Sequence, residues 1–378
     1  MNDCFSIRHA NGCTRATVKG LAPGNDIPIR PFIIPIFIPL AGCPHRCSFC
    51  DQAAITGVSP YRLSPAAVNQ AMRTWLPRVR DRSRPVEMAF YGGNFLGLPI
   101  EQVRDLLAAA AAFVHCREAS GVRFSTRPDT ISPETLHALR DFPVSAIELG
   151  LQSMDDRVLE LNNRGHTAAC TAAAAHRIKT AGYALGLQMM TGLPGDTLQG
   201  AEKTVDAMIQ MKPDVVRIYP TLVLENSSLA QQYQSGSYRP MGLEETITLV
   251  SRLYLKFTSA GIRVIRMGLQ ADDALTSSDR VLGGPYHPAL GELVCSRIFF
   301  RLAEAALAHH PDRRRPIILH VHPRHLSRMV GAGRQNLHHL SARFPSVTLM
   351  VRPTAAIGPH HLEVDNAPAA IAQKPSGP

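Results

Sequence analysis

PFIIPIFIPLAGCPHRCSFCDQ, residues 31–52, joins the most apolar run of the chain to three cysteines spaced C-x3-C-x2-C. The apolar run, which begins at Ile27, is too short to cross a bilayer. Pro28, Pro31, Pro35 and Pro39 would also break a helix there. It reads as an extended strand over Phe32–Leu40, ending just before Cys43. A strand-then-helix rhythm follows, with strand candidates Val86–Tyr91, Val122–Thr126, Ala146–Leu151, Leu185–Thr191 and Val215–Pro220. Ser64-Pro65 and Ser132-Pro133 each read as an N-cap before a proline at the first helical position. IEQVRDLLAAAAAFV and TAACTAAAAHRIKTA are alanine-rich helix formers. Apolar runs alternating with helices predict parallel β/α units with both faces covered. Six such units predict a partial barrel or an open parallel sheet, and periodicity does not choose between them.

The chain has 378 residues, 45% of them hydrophobic, enough for a sizeable core and against global disorder. A formal net charge of +10 favours acidic partners such as nucleic acid or phosphorylated metabolites. The opening MNDCFSIRHANGC lacks the apolar core of a secretory signal. The expectation is a cytoplasmic, reducing location without membrane attachment, where clustered thiols are metal ligands rather than disulfides.

Ligand chemistry in β/α folds sits at the C-terminal ends of strands, so Cys43, Cys47 and Cys50 hang at the functional face. A closed structural zinc site wants a fourth Cys or His. His45 is inside the loop, and Cys4 and Cys13 are the rival fourth ligands from elsewhere in the chain. With Phe49 before the last cysteine, the set resembles the signature of the radical S-adenosylmethionine (SAM) superfamily. The resemblance implies a [4Fe–4S] cluster held by Cys43, Cys47 and Cys50, with SAM on the open iron. It also implies an α/β fold: a partial (β/α)6 TIM-type barrel with a small C-terminal α/β extension.

Four further motifs fall in order at strand ends. YGGNF, residues 91–95, resembles the family's glycine-rich SAM motif, which makes Gly92, Gly93 and Asn94 cofactor-binding candidates. ELGLQS, residues 148–153, offers Gln152 and Ser153 to the SAM ribose, and Glu148 shares strand parity with Gly150 and Gln152. MTGLPGDT, residues 190–197, resembles the segment that packs on adenine. RIYP places Arg217 and Tyr219 on one face of the sixth strand. With RFSTRPD and ELGLQSMDDRVLELNNRGHT, these resemble a narrower branch: the Elongator catalytic subunit, which modifies tRNA, and the oxygen-independent coproporphyrinogen oxidases. The resemblance covers roughly residues 30–270 and extends weakly through GGPYHP and GELV.

The rest of the chain predicts helix LEETITLVSRLYLKFTSAG, strand RVIRMG, helix GELVCSRIFFRLAEAALAHH, strand PIILHVH, a helix to Phe344 and strand VTLMV. RMVGAG, residues 328–333, matches the acetyl-CoA loop pattern R-x-x-G-x-G but lacks the antiparallel strands that should precede it. The alternative is a glycine-interrupted helix or loop. Ten of sixteen histidines lie from His287 onward; His320 and His322, with His325 nearby, suggest either a second metal site or ordinary hydrogen-bonded side chains. RTWLPRVRDRSRP sets Trp75 among five arginines, an RNA-contacting face or a solvated helix end.

The expected organisation is an N-terminal segment over 1–30, a radical SAM core over 31–270, an extension over 271–365 and a disordered tail over 366–378. The expected activity is reductive SAM cleavage and hydrogen abstraction, with tRNA as first candidate substrate and an electron donor such as flavodoxin or ferredoxin as partner. The alternatives are a small acidic metabolite or peptide as substrate, or a non-catalytic iron–sulfur protein. No catalytic side chain is assigned.

Overall fold

The computed structural model describes residues 5–10, 13–19, 30–38, 41–44, 46–51, 64–81, 83–269, 280–358 and 361–367. Cys4, His45, Arg82 and residues 368–378 of the expected tail lie outside the described residues. The chain divides into two compact units, one from residues 28–246 and 262–288, the other from 1–27, 247–261 and 289–378.

The first unit is built on seven strands: β3 (Phe32–Phe37), β4 (Val86–Tyr91), β5 (Gly121–Thr126), β6 (Val144–Gln152), β7 (Ala184–Thr191), β8 (Val215–Pro220) and β10 (Arg263–Met267). They pair in chain order, each parallel to the next. Parallel neighbours require a crossover between them. Helices Pro65–Trp75, Ile100–His115, Ala168–Thr180 and Leu198–Gln210 supply it at four steps, and the short helix Pro133–His137 at a fifth. The result is a partial TIM-type barrel. The helix starts follow their sequence signals: Ser132 forms a capping box with Thr135, and Thr167 accepts from Cys170 N. Pro65 opens its helix as expected, although Ser64 makes no side-chain cap. Strands buried on both faces are near-continuously apolar; Phe90, Phe95 and Phe124 pack with successive ring centroids 4.7 Å apart. A two-stranded antiparallel pair, β9 (Val223–Leu224) with β11 (Val281–Gly283), completes this unit.

The second unit joins both ends of the described chain. A hairpin of β1 (Phe5–Ala10) and β2 (Cys13–Val18) lies beside β14 (His361–Asn366), followed by β12 (Ile317–Val321) and β13 (Leu349–Pro353). Only β12 and β13 run parallel. The sequence reading treats residues 1–30 as a segment apart and 271–365 as an extension; here the two share one sheet. Asn366, assigned to the tail, ends β14, and the Ala367 N–H bonds Pro316 O at 2.7 Å. Helix Leu290–His309 packs on β1, β2 and β14.

The RMVGAG segment is a glycine-interrupted helix. Helix Leu326–Val330 stops at Gly331, whose φ of +79° suits glycine, and helix Gln335–Arg343 follows. Asn336 Nδ2 donates to Arg328 O and Met329 O, so the loop is filled by its own chain. Of the two readings of the C-terminal histidines, the structure gives ordinary hydrogen-bonded side chains, and among the described residues no group there is placed to hold a metal ion. β12 ends at Val321, so His322 leaves the strand face, where its ring accepts from Arg324 N, while His320 bonds Thr354 Oγ1 at 3.0 Å. No helix among the described residues is long and apolar enough to cross a membrane.

Candidate active site

The cysteine loop leaves β3 and is fastened at once to the loop after β4. Ile38 N donates to Tyr91 O at 2.7 Å, and Asn94 N to Ala41 O at 2.9 Å. Gly93 lets the two loops touch: a side chain there would meet Ile38 O, and Ala41 O at 2.7 Å. Asn94 is fully buried and does not reach the cavity; its Nδ2 donates to Gly42 O at 2.8 Å. Its Oδ1 accepts from Thr126 Oγ1, Arg127 N and Thr130 Oγ1. It thus ties three strand-end loops together.

A second brace comes from three consecutive residues after β6. Asn162 Oδ1 accepts from Ser48 Oγ at 2.7 Å, Asn163 Nδ2 donates to Arg46 O at 2.7 Å, and Arg164 Nη1 donates to Cys47 Sγ at 3.0 Å. Asn163 (φ +52°) and Gly165 (φ +67°) take left-handed conformations on either side of Arg164. Arg164 Nη2 donates to Gly150 O, and Arg127 Nη2 donates to Arg164 O. Phe49 packs towards Val158, Met190 and Leu193 on one side and Val223 and Leu229 on the other.

These loops and the inward faces of the strands enclose a cavity of about 610 Å³. Cys43, Cys47 and Cys50 line it together with Gly92, Gly93 and Gln152. Ser153 does not: it is buried, and its Oγ accepts from Asp155 N at 3.1 Å as the chain turns into helix Asp156–Leu161. Gln152 has a φ of +67° at a bulge in β6, and its amide pairs reciprocally with Gln188, which also lines the cavity.

Deeper in the cavity, Glu148 accepts from Arg217 Nε at 2.6 Å and lies 3.0 Å from Arg123 Nε. Burial alone would raise its carboxyl; the Arg217 and Arg123 guanidiniums overcome that and hold it below the usual range. Burial pushes the Tyr91 phenol up, Glu148 adds to this, and the phenol accepts from Arg217 Nη2 at 2.8 Å. Gly186 on β7 leaves room for Glu148, whose Cγ would lie 2.7 Å from a side chain there. Glu148, Arg217 and Tyr219 all line the cavity, as the strand parity predicts. So do Arg46, Arg127, Arg164 and Arg266, against the single carboxylate, among the described residues, of Glu148.

Three thiols on one cavity wall are a donor set that fits a four-iron cluster, which takes each thiolate on a separate iron. Burial and then the neighbouring Cys47 raise the Cys43 thiol, while Arg127 and Arg164 pull it down, so bound metal would relieve a cost already present. Arg127 Nη1 is buried, has no hydrogen-bond partner and belongs to a cavity-lining residue, a donor suited to an anionic ligand. Cys13, the rival ligand, belongs to the other unit, where burial and then Asp365 raise its thiol to about 11.

The sequence matches the Radical SAM superfamily over residues 37–208 and the Radical SAM C-terminal domain over residues 213–299. This chain belongs to the radical SAM superfamily. It is an enzyme of that superfamily, whose members use SAM and a [4Fe–4S] cluster. A tRNA uridine(34) acetyltransferase of Methanocaldococcus jannaschii is 25% identical over 247 residues, which cover 55% of this chain and 46% of that protein. Elongator complex protein 3 of Mus musculus is 28% identical over 239 residues, covering 56% and 42% respectively. The radical SAM chain therefore spans about half the length of these curated relatives. The archaeal Elp3 of Methanocaldococcus infernus, lacking its N-terminal residues 1–46, shares the fold with a TM-score of 0.55 and 20% identity over 75% of this chain and 63% of that one.

Proposed function

We propose that this radical SAM enzyme binds a [4Fe–4S] cluster through Cys43, Cys47 and Cys50, binds SAM in the same cavity and acts on tRNA. The observation that carries the reading is the convergence of the three thiols, Gly92, Gly93 and Gln152 on one cavity whose other charged lining, among the described residues, is five arginines and one glutamate. When bound, the reduced cluster supplies the electron that splits SAM into methionine and a 5′-deoxyadenosyl radical able to abstract hydrogen from substrate. The chain's own residues do the rest. The glycine pair keeps the backbone close, the Gln152–Gln188 amides present polar edges, and the arginines draw in anionic groups. Glu148 is held ionised and saturated by Arg217, so it orders the cavity rather than exchanging protons.

tRNA is favoured by the likeness to a tRNA uridine(34) acetyltransferase and by the net charge of +10. A nucleotide would enter the cavity flipped from its stack. Arg78 and Arg80, exposed beside the cavity-lining Trp75, would contact phosphate. A flavodoxin or ferredoxin would deliver the electron. The cavity volume, within the small-molecule range of about 300–1,000 Å³, favours a second reading: a small acidic metabolite or peptide.

The test is anaerobic reconstitution followed by measurement of 5′-deoxyadenosine release with tRNA, metabolite or peptide pools. tRNA should stimulate release, and its binding should weaken steeply with salt. Replacing Arg78, Arg80 and Arg82 together should lower RNA retention with the cluster and basal SAM cleavage intact. If wild-type protein retains no tRNA even at low salt, the RNA reading fails and the small acidic substrate takes its place.

A further inference from the structure

We propose that Arg164 is a positioning residue that raises the reduction potential of the cluster by donating a hydrogen bond to the Cys47 sulfur. The inference rests on the cluster assignment above and goes beyond it. Arg164 is only 5% exposed. Its guanidinium is aimed by the fold rather than by chance. The left-handed Asn163 and Gly165 turn the side chain back towards the cysteine loop, and the Arg164 N–H is tied to Leu159 O at 2.9 Å. One arm of the fork is anchored on Gly150 O, at the C-terminal end of β6. That leaves the other arm 3.0 Å from Cys47 Sγ. Asn162 and Asn163 already pin the loop through Ser48 and Arg46 O, so a third brace on the thiol itself is not needed for its path.

Reduction adds negative charge to a cluster and its thiolates. A fixed positive donor on one sulfur stabilises the reduced form more than the oxidised form, so the potential rises. Burial strengthens the effect, because solvent screens it less. The step concerned is one-electron reduction of the cluster by the external donor, with no bond made or broken in the protein.

The experiment is an electron paramagnetic resonance redox titration, without SAM, of reconstituted wild type, Arg164→Lys and Arg164→Gln. The expected order of midpoint potentials is wild type highest, Lys lower and Gln lowest, because an ammonium keeps the charge but cannot span both Gly150 O and the sulfur. Ser48→Ala, which removes the brace to Asn162 and leaves the left-handed turn that aims Arg164 in place, should keep the wild-type potential. Equal midpoints in all three proteins with equal cluster content would overturn the proposal and leave the cluster assignment standing. If the Gln variant takes up no cluster, the Lys variant decides alone: a lower midpoint supports the role, and one equal to wild type overturns it. A wild-type protein that forms no cluster removes both readings.

Discussion

In the barrel unit, Glu148 lies 3% exposed between the guanidiniums of Arg217 and Arg123. In the sheet that joins the two chain ends, Thr14 and His310, at 0% and 2%, share a hydrogen bond of 2.8 Å, and His9 adds another to the same hydroxyl at 3.0 Å. Both are buried polar networks, but one is built of charges and the other of a hydroxyl and imidazoles. Buried charges are costly and persist where they are paired. The barrel accepts that cost at its cavity wall, whereas the second unit uses its polar groups to tie β1 and β2 to the end of helix Leu290–His309. The charged network should therefore fail harder than the hydroxyl–imidazole one when a single partner is removed.

The largest effect is expected at the metal. Cys47→Ala should abolish the [4Fe–4S] absorption of reconstituted protein, while Cys170→Ala and Cys295→Ala, both on helices, should keep it. A normal spectrum for Cys47→Ala would remove the barrel's claim to be the functional half of the comparison. Gly93→Val comes next. From the sequence it should weaken SAM binding alone; in the structure its side chain collides with the backbone of the cysteine loop, so iron content should also fall several-fold. Full iron with only SAM binding reduced would show that the loop yields.

Stability then separates the two networks directly. Glu148→Gln leaves the buried Arg217 guanidinium without a carboxylate and Arg123 with Glu87 alone, and should cost about 3–5 kcal/mol in urea unfolding of the apo-protein. Glu148 has its folded pKa lowered, so its contribution is present above the unfolded carboxylate value of about 4.3 and lost as pH falls through the folded value. The gap from wild type should therefore persist at neutral pH and narrow only in acid. Thr14→Val, which keeps volume but leaves the His310 ring without its hydroxyl partner, should cost about 1–3 kcal/mol. Equal costs for the two would erase the distinction. The smallest effect belongs to Arg314→Ala, which removes an exposed side chain 3.6 Å from Asp312 and should leave the unfolding free energy nearly unchanged.

The barrel was legible in the sequence because each β/α step is local. An apolar run, a cap such as Ser132 and an alanine-rich helix report on one another within a few dozen residues. The second sheet was not, because β2 meets β14 from the far end of the chain: Arg15 bonds Glu363 across 348 positions. The site divides the same way. The cysteines, Gly92, Gly93 and Gln152 sit at strand ends, and that position foretold that they would line one cavity; Glu148, Arg217 and Tyr219 followed from strand parity. Asn94 and Ser153 sit at strand ends too, but their side chains turn to neighbouring loops, which no period reveals. Arg164 was missed because its sulfur partner is 117 residues away. The only local hint was a turn-forming Asn and Gly on either side of it.

The single tryptophan of the chain, Trp75, stands on the cavity wall with the Arg78 guanidinium 4.6 Å over its ring. Indole fluorescence from this protein therefore originates at one wall of one cavity, beneath a cation that a ligand's anionic groups would draw away. The enzyme carries its own optical probe. Titrating SAM or a candidate substrate into the unlabelled protein reads occupancy as a change in emission, and Trp75→Phe supplies the dark control.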